Sequence, residues 1–104
     1  MNRFKIIAFT HKTTDINDIG KFHISDADLR SRLEFLKSSV NAEELLYLST
    51  CNRVEFMLSV NENIDQLFLK KFFNSFDTNW TDTEINWSIE NAKVFEGENA
   101  LRHL

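Results

Sequence analysis

The 104-residue chain has no proline, two glycines and one cysteine. Without proline or clustered glycine there is no linker-like stretch, and no repeat or low-complexity run breaks the chain. At this length it makes one domain of ordinary size. A single cysteine cannot close an internal disulfide, which suits a reducing cytoplasm. The same count excludes Cys₄ and Cys₂His₂ zinc sites, and no metal site is expected. No run approaches the ~20 apolar residues of a membrane helix, so no membrane association is expected. Met1–Lys5 leads into a short apolar segment with no small-residue cleavage site, so no signal peptide is expected. Positive charge is also short: 12 basic residues against 16 acidic ones leave a net charge of −4. That argues against a bare duplex-binding module, which would show a basic face. It leaves open an enzyme that handles one end of a nucleic acid.

Large apolar side chains are plentiful. Ten Phe, two Trp and one Tyr supply the bulk that a small fold must bury. Phe4–Thr10 is a short apolar run with β-branched and aromatic residues, the pattern of a central strand. Residues 11–23 are polar and read as a loop. Ser25 is placed as an N-cap, with Asp26 and Asp28 in the first turn and Ile24 set to staple onto Leu29. Leu29, Leu33, Leu36 and Val40 follow at helical spacing and predict a helix over 26–40. Segments 45–50 and 54–60 read as strands joined by a tight connection at Cys51-Asn52-Arg53. Ile64, Phe68, Phe72 and Phe76 mark a second helix over 63–76, a stripe that belongs to the core rather than to a base-stacking platform. Lys70-Lys71 on its opposite face reads as solvated. Thr81 and Glu84 have capping-box spacing and predict a short helix over 82–90. Residues 93–96 look like a last strand, and 98–104 the opening of a helix after Gly97. A helix barely begun is marginal alone, so a fragment of a longer chain is expected. The order β-α-β-β-α-(α)-β-α fits an α+β, ferredoxin-like fold. This is a split βαβ repeat, with a four-stranded antiparallel sheet and helices packed on one face.

Cys51 is the residue with most chemical content. A lone cysteine of this kind is most often a small buried hydrophobe. Its place argues otherwise: it falls at a strand end in a polar turn, between Thr50 and Asn52, with Arg53 two residues on. An exposed turn thiol beside a guanidinium has the surroundings of a reactive cysteine.

The string Leu48-Ser49-Thr50-Cys51-Asn52-Arg53-Val54-Glu55 closely resembles the active-site signature of the glutamyl-tRNA reductase family. Thr10-His11-Lys12-Thr13 is similar to that family's segment after its first strand, and Phe22 stands at the matching distance from His11. Ala100-Leu101-Arg102-His103-Leu104 resembles the start of the helix that continues the catalytic domain. The chain departs from the family pattern at Thr14-Asp15 and Ile19-Gly20, both inside loop 11–23.

The resemblance implies that residues 1–104 are the N-terminal part of the catalytic, glutamate-binding domain. The NADPH-binding and dimerisation domains would lie outside this chain. It implies a Cys51 thiolate that attacks the ester of glutamyl-tRNA to give a glutamyl thioester, which NADPH reduces to glutamate-1-semialdehyde. That is the first committed step toward tetrapyrroles. Sulfur suits the task because a thioester is more easily reduced than an oxygen ester. Arg53 has the planar fork to bind the substrate carboxylate; the bland alternative is a surface arginine paired with Glu55 or Glu62. Thr50 and Asn52 either orient the substrate or serve the turn. His103 matches the family's active-site histidine, a proton-transfer group. His11 is a weaker substrate contact, and His23 reads as surface. Glu55 belongs to the signature, but strand alternation places it on a solvated face. Partners implied by the family are glutamyl-tRNA, an aminotransferase that accepts the labile aldehyde, and a second copy in the intact homodimer. The piece alone is expected to be inactive as a reductase. The competing reading is a non-catalytic α+β module that binds a ligand or RNA, though the strands lack the aromatic and Lys/Arg-Gly pattern of an RNA-recognition sheet. A stand-alone cysteine hydrolase would need a firmly placed histidine partner.

Overall fold

The run Phe4–Thr10 forms β1, and Lys5 through Phe9 are all buried. A strand buried on both faces must lie inside a sheet. The computed structural model, which describes residues 4–12 and 14–103, places it there. On one side β1 pairs antiparallel with β3 (Arg53–Ser59), with Thr10 opposite Arg53 and Ala8 opposite Glu55. On the other side it pairs antiparallel with β4 (Lys93–Glu96). β2 (Glu44–Ser49) adds to the far edge of β3, giving the order β2-β3-β1-β4. β1 and β2 therefore run parallel with β3 between them, which is the split βαβ arrangement expected from the sequence.

Side-chain alternation divides the sheet. Ile7 and Phe9 of β1, with Val54, Phe56 and Leu58 of β3, point into the main core. Three helices close that face: α2 (Asp26–Ser39), α3 (Gln66–Phe76) and α4 (Asp82–Asn91). The stripe of α3 goes where its spacing said, with Phe68, Phe72, Phe73 and Phe76 all buried. Helix α3 starts three residues later than its apolar spacing implies, because the Asp65 carboxylate accepts the Phe68 N–H at 2.8 Å and fixes the first turn there. At α4 the capping box forms: Thr81 Oγ1 accepts from Glu84 N, and Thr81 N donates to Glu84 Oε1. Ser25 stands at the N-cap of α2 but makes no side-chain bond to a helix N–H; its hydroxyl donates to Asp28 Oδ2 at 3.0 Å.

The opposite face carries Ile6 and Ala8. It is covered by α5 (Glu98–His103), whose Ala100 is buried against them. Gly97 takes a positive φ of 57° to turn the chain from β4 into α5, and its N–H donates to Phe4 O.

Segment 11–23, expected as a loop, folds. Asp15 caps a single turn, α1 (Ile16–Ile19), by accepting from Asn17 N at 2.8 Å. A 3₁₀ turn over Gly20–Phe22 follows. Phe22 is fully buried and stacks on Phe9 at 4.0 Å, which pins the segment to the core. The Tyr47 hydroxyl ties it to β2 by donating to Phe22 O at 2.7 Å and accepting from Ile24 N at 3.2 Å. Among the described residues no helix is long and apolar enough to cross a membrane.

Candidate active site

Residues 50–52 join β2 to β3, and the turn is organised by Thr50. Its N–H donates to Arg53 O at 2.8 Å. Its Oγ1 accepts from Asn52 N at 3.3 Å and from Arg53 N at 3.2 Å. The Thr50 side chain thus serves the turn, one of the two roles the sequence left open. The turn is anchored from β1 as well: His11 N donates to Asn52 O at 2.9 Å. So Thr50, Cys51, Asn52, Arg53 and His11 come together at one end of the sheet.

Cys51 is exposed at the tip. It opens onto a groove of about 520 Å³. Ile16, Ile19, Gly20 and His23 form one wall, and Ser49 and Thr50 the other. His23 is exposed, as the sequence suggested, yet it shares this groove with the thiol.

Arg53 lies on the sheet face of Thr10, Ala8 and Glu55. Its Nε sits 3.0 Å from Glu55 Oε2. Glu55 corrects an expectation: it is 1% exposed, not on a solvated face. Alternation assigned it the right side of the sheet, but that side is covered around Ala8, its partner across β1, where α5 packs. The Arg53 side chain is 45% exposed. The contact is an ion pair, and a guanidinium is a planar fork of the shape that grips a carboxylate. The ion pair with Glu55 that the sequence offered as a bland alternative is present.

His103 is the last residue of α5, and its side chain lies outside the described residues. The helix begins beside Phe4 and passes Ile6 and Ala8, so it runs along β1 toward the end where Thr10 meets Arg53. Among the described residues no three His, Cys, Asp or Glu side chains gather as a metal site. The residues do not fit a dinucleotide either. The sheet is antiparallel throughout, and the two glycines, Gly20 and Gly97, are too far apart for a glycine-rich phosphate loop.

Comparison with known proteins adds the context of the site. Residues 7–104 match the family described as "Glutamyl-tRNAGlu reductase, N-terminal domain". The chain is 35% identical over 100 residues to a glutamyl-tRNA reductase of Streptococcus sanguinis (strain SK36), covering 94% of this chain and 23% of that protein. It is 35% identical over 99 residues to a glutamyl-tRNA reductase of Campylobacter jejuni subsp. jejuni serotype O:23/36 (strain 81-176), covering 94% of this chain and 22% of that protein. The chain therefore spans less than a quarter of the length of these relatives. Among solved structures, the glutamyl-tRNA reductase from Methanopyrus kandleri superposes with a TM-score of 0.62 at 20% identity, over 99% of this chain and 21% of that one. At that identity the likeness speaks for the fold.

Proposed function

The chain belongs to the family of the glutamyl-tRNA reductase N-terminal domain, and on that premise we propose that it carries the acyl-transfer site of such a reductase. The observation that carries this reading is an exposed Cys51 two residues from Arg53, whose guanidinium is ion-paired with the buried Glu55. The Cys51 thiolate attacks the carbonyl carbon of glutamate esterified to its tRNA. An S–C bond forms, the C–O bond to the terminal ribose breaks, and the ribose oxygen takes a proton as the tRNA leaves. Arg53 binds a carboxylate of the glutamyl group and sets the carbonyl against the sulfur. Thr50 and Asn52 hold the turn that presents the thiol. His11 stands beside that turn as a further substrate contact, and His103 supplies proton transfer from the helix that runs toward it.

In the whole protein NADPH would supply the hydride that converts the thioester to glutamate-1-semialdehyde, the S–C bond breaking to return Cys51 as the thiolate. The described residues do not fit a dinucleotide, so that cofactor is assigned to a part of the protein other than this chain, together with the homodimer contacts. Glutamyl-tRNA is the partner at this site, an aminotransferase is the acceptor of the aldehyde, and the cytoplasm is the compartment. In the whole protein, Cys51→Ser should abolish NADPH-dependent aldehyde formation while the far-UV circular dichroism stays unchanged. Near-normal reductase activity in that variant would sink the reading.

A further inference from the structure

We propose that His23 is the proton acceptor for the Cys51 thiol, the nucleophile being made by an imidazole that shares its groove. The inference rests on the reading above and adds a catalytic residue to it. A thiol attacks as its thiolate, so its proton must pass to a base. Among the described residues lining the groove, His23 is the one basic side chain; the others bring aliphatic groups, hydroxyls and the thiol itself. Asp18 lies on the neighbouring turn, but its carboxylate is engaged by Lys21 at 3.1 Å. Arg53, two residues from the thiol, has no lone pair with which to take a proton.

The backbone at His23 is fixed from the strand that leads to the thiol. The Tyr47 hydroxyl donates to Phe22 O at 2.7 Å and accepts from Ile24 N at 3.2 Å, one bond on each side of His23. His23 N adds a third by donating to Gly20 O at 3.2 Å. His23 itself is extended, with φ −69° and ψ 133°, between the buried Phe22 and Ile24. Its side chain therefore turns out of the core and into the groove wall. Tyr47 and Ser49 share one face of β2, about 6–7 Å apart along the strand. Ser49 and Thr50 then form the wall that ends at Cys51. This is the firmly placed histidine that a cysteine nucleophile needs.

In the step itself, the neutral imidazole takes the Sγ proton on its lone-pair nitrogen. The sulfur electron pair forms the S–C bond to the acyl carbon. The C–O bond to the ribose breaks, and the ribose oxygen takes its proton from His103. The imidazolium stays beside the sulfur, so the thiolate released when the S–C bond later breaks returns to a cation.

His23 is exposed, so replacing it leaves the core intact. In the whole protein without NADPH, single-turnover acylation of Cys51 at neutral pH is followed by mass spectrometry. Two donors are compared, glutamyl-tRNA and a glutamate α-thioester of a small thiol. The second expels a thiolate that needs no proton, yet attack on it needs the same deprotonated Cys51. His23→Ala and His23→Gln should both slow acylation from either donor by about tenfold to a hundredfold. The loss stays at the low end for a proton-transfer group because a free thiol is already a few per cent ionised at neutral pH. Added imidazole should restore much of the rate in His23→Ala. Rates within about twofold of wild type in both variants would overturn the proposal. So would a loss confined to glutamyl-tRNA, which would assign His23 to the leaving alcohol. A loss that His23→Gln repairs, or that imidazole does not restore, would make His23 a structural group and overturn it too. Wild-type protein acylated by neither donor would instead remove the acyl-transfer reading itself, and the role of His23 with it.

Discussion

Phe22 is the residue that converts a polar-looking segment into one wall of the site, and removing its ring should be costly. It is fully buried and surrounded by aromatic rings: Phe9 at 4.0 Å, Trp80 at 5.5 Å, Phe76 at 5.7 Å, Phe73 at 6.1 Å and Trp87 at 6.3 Å. Phe22→Ala loses the transfer free energy of the ring and leaves a cavity, together about 3–5 kcal/mol for such a site. Phe22 sits on a short 3₁₀ turn rather than a long helix, so part of the cavity can collapse, which favours the lower end of that range. Against a total stability of ~5–15 kcal/mol this is a large fraction. Phe22→Leu retains most of the contact and should cost about 1–2 kcal/mol. Urea unfolding followed by far-UV circular dichroism is the assay, because Trp80 and Trp87 adjoin the mutated ring and would confound fluorescence. A loss under about 1.5 kcal/mol for Phe22→Ala, with an unchanged urea slope, would refute the claim that this ring anchors segment 11–23.

Two further outcomes are expected. Thr81→Ala breaks a formed capping box and should cost about 1 kcal/mol, whereas Ser25→Ala removes no bond to a helix N–H and should cost under about 0.5 kcal/mol; paired urea curves read the difference. Glu55→Gln keeps the shape but removes the charge beside Arg53. Because Arg53 is 45% exposed, solvent screens the pair and the stability loss should be only about 1 kcal/mol. In the whole protein the same variant should raise KM for glutamyl-tRNA by about tenfold with a smaller change in kcat, since it loosens a carboxylate-binding group. A fall in kcat with unchanged KM would contradict that role.

Much of this architecture is written in local pattern. The apolar run of β1, the four-residue aromatic stripe of α3 and the Thr81–Glu84 spacing each specify their element without help from the rest of the chain. The hairpin was legible for the same reason, and with it the exposure of Cys51. What was not legible depends on tertiary partners. A single helical turn such as α1 has too few residues to show a period, and only the Asp15 cap with Ile16 and Ile19 three apart hints at it. Glu55 shows the limit of strand alternation, which tells which face a side chain takes but not what covers that face. The groove beside Cys51 is assembled from segments some thirty residues apart in sequence and leaves no local trace.

The proposed function stands on a covalent thioester between Cys51 and tRNA-borne glutamate. The most direct measurement is to mix the whole protein with glutamyl-tRNA in the absence of NADPH, quench in acid and map the modified peptide by mass spectrometry. One glutamyl group is expected on the peptide containing Cys51, released by neutral hydroxylamine as a thioester should be. Unmodified Cys51, with intact glutamyl-tRNA recovered or glutamate carried on another residue, would contradict it.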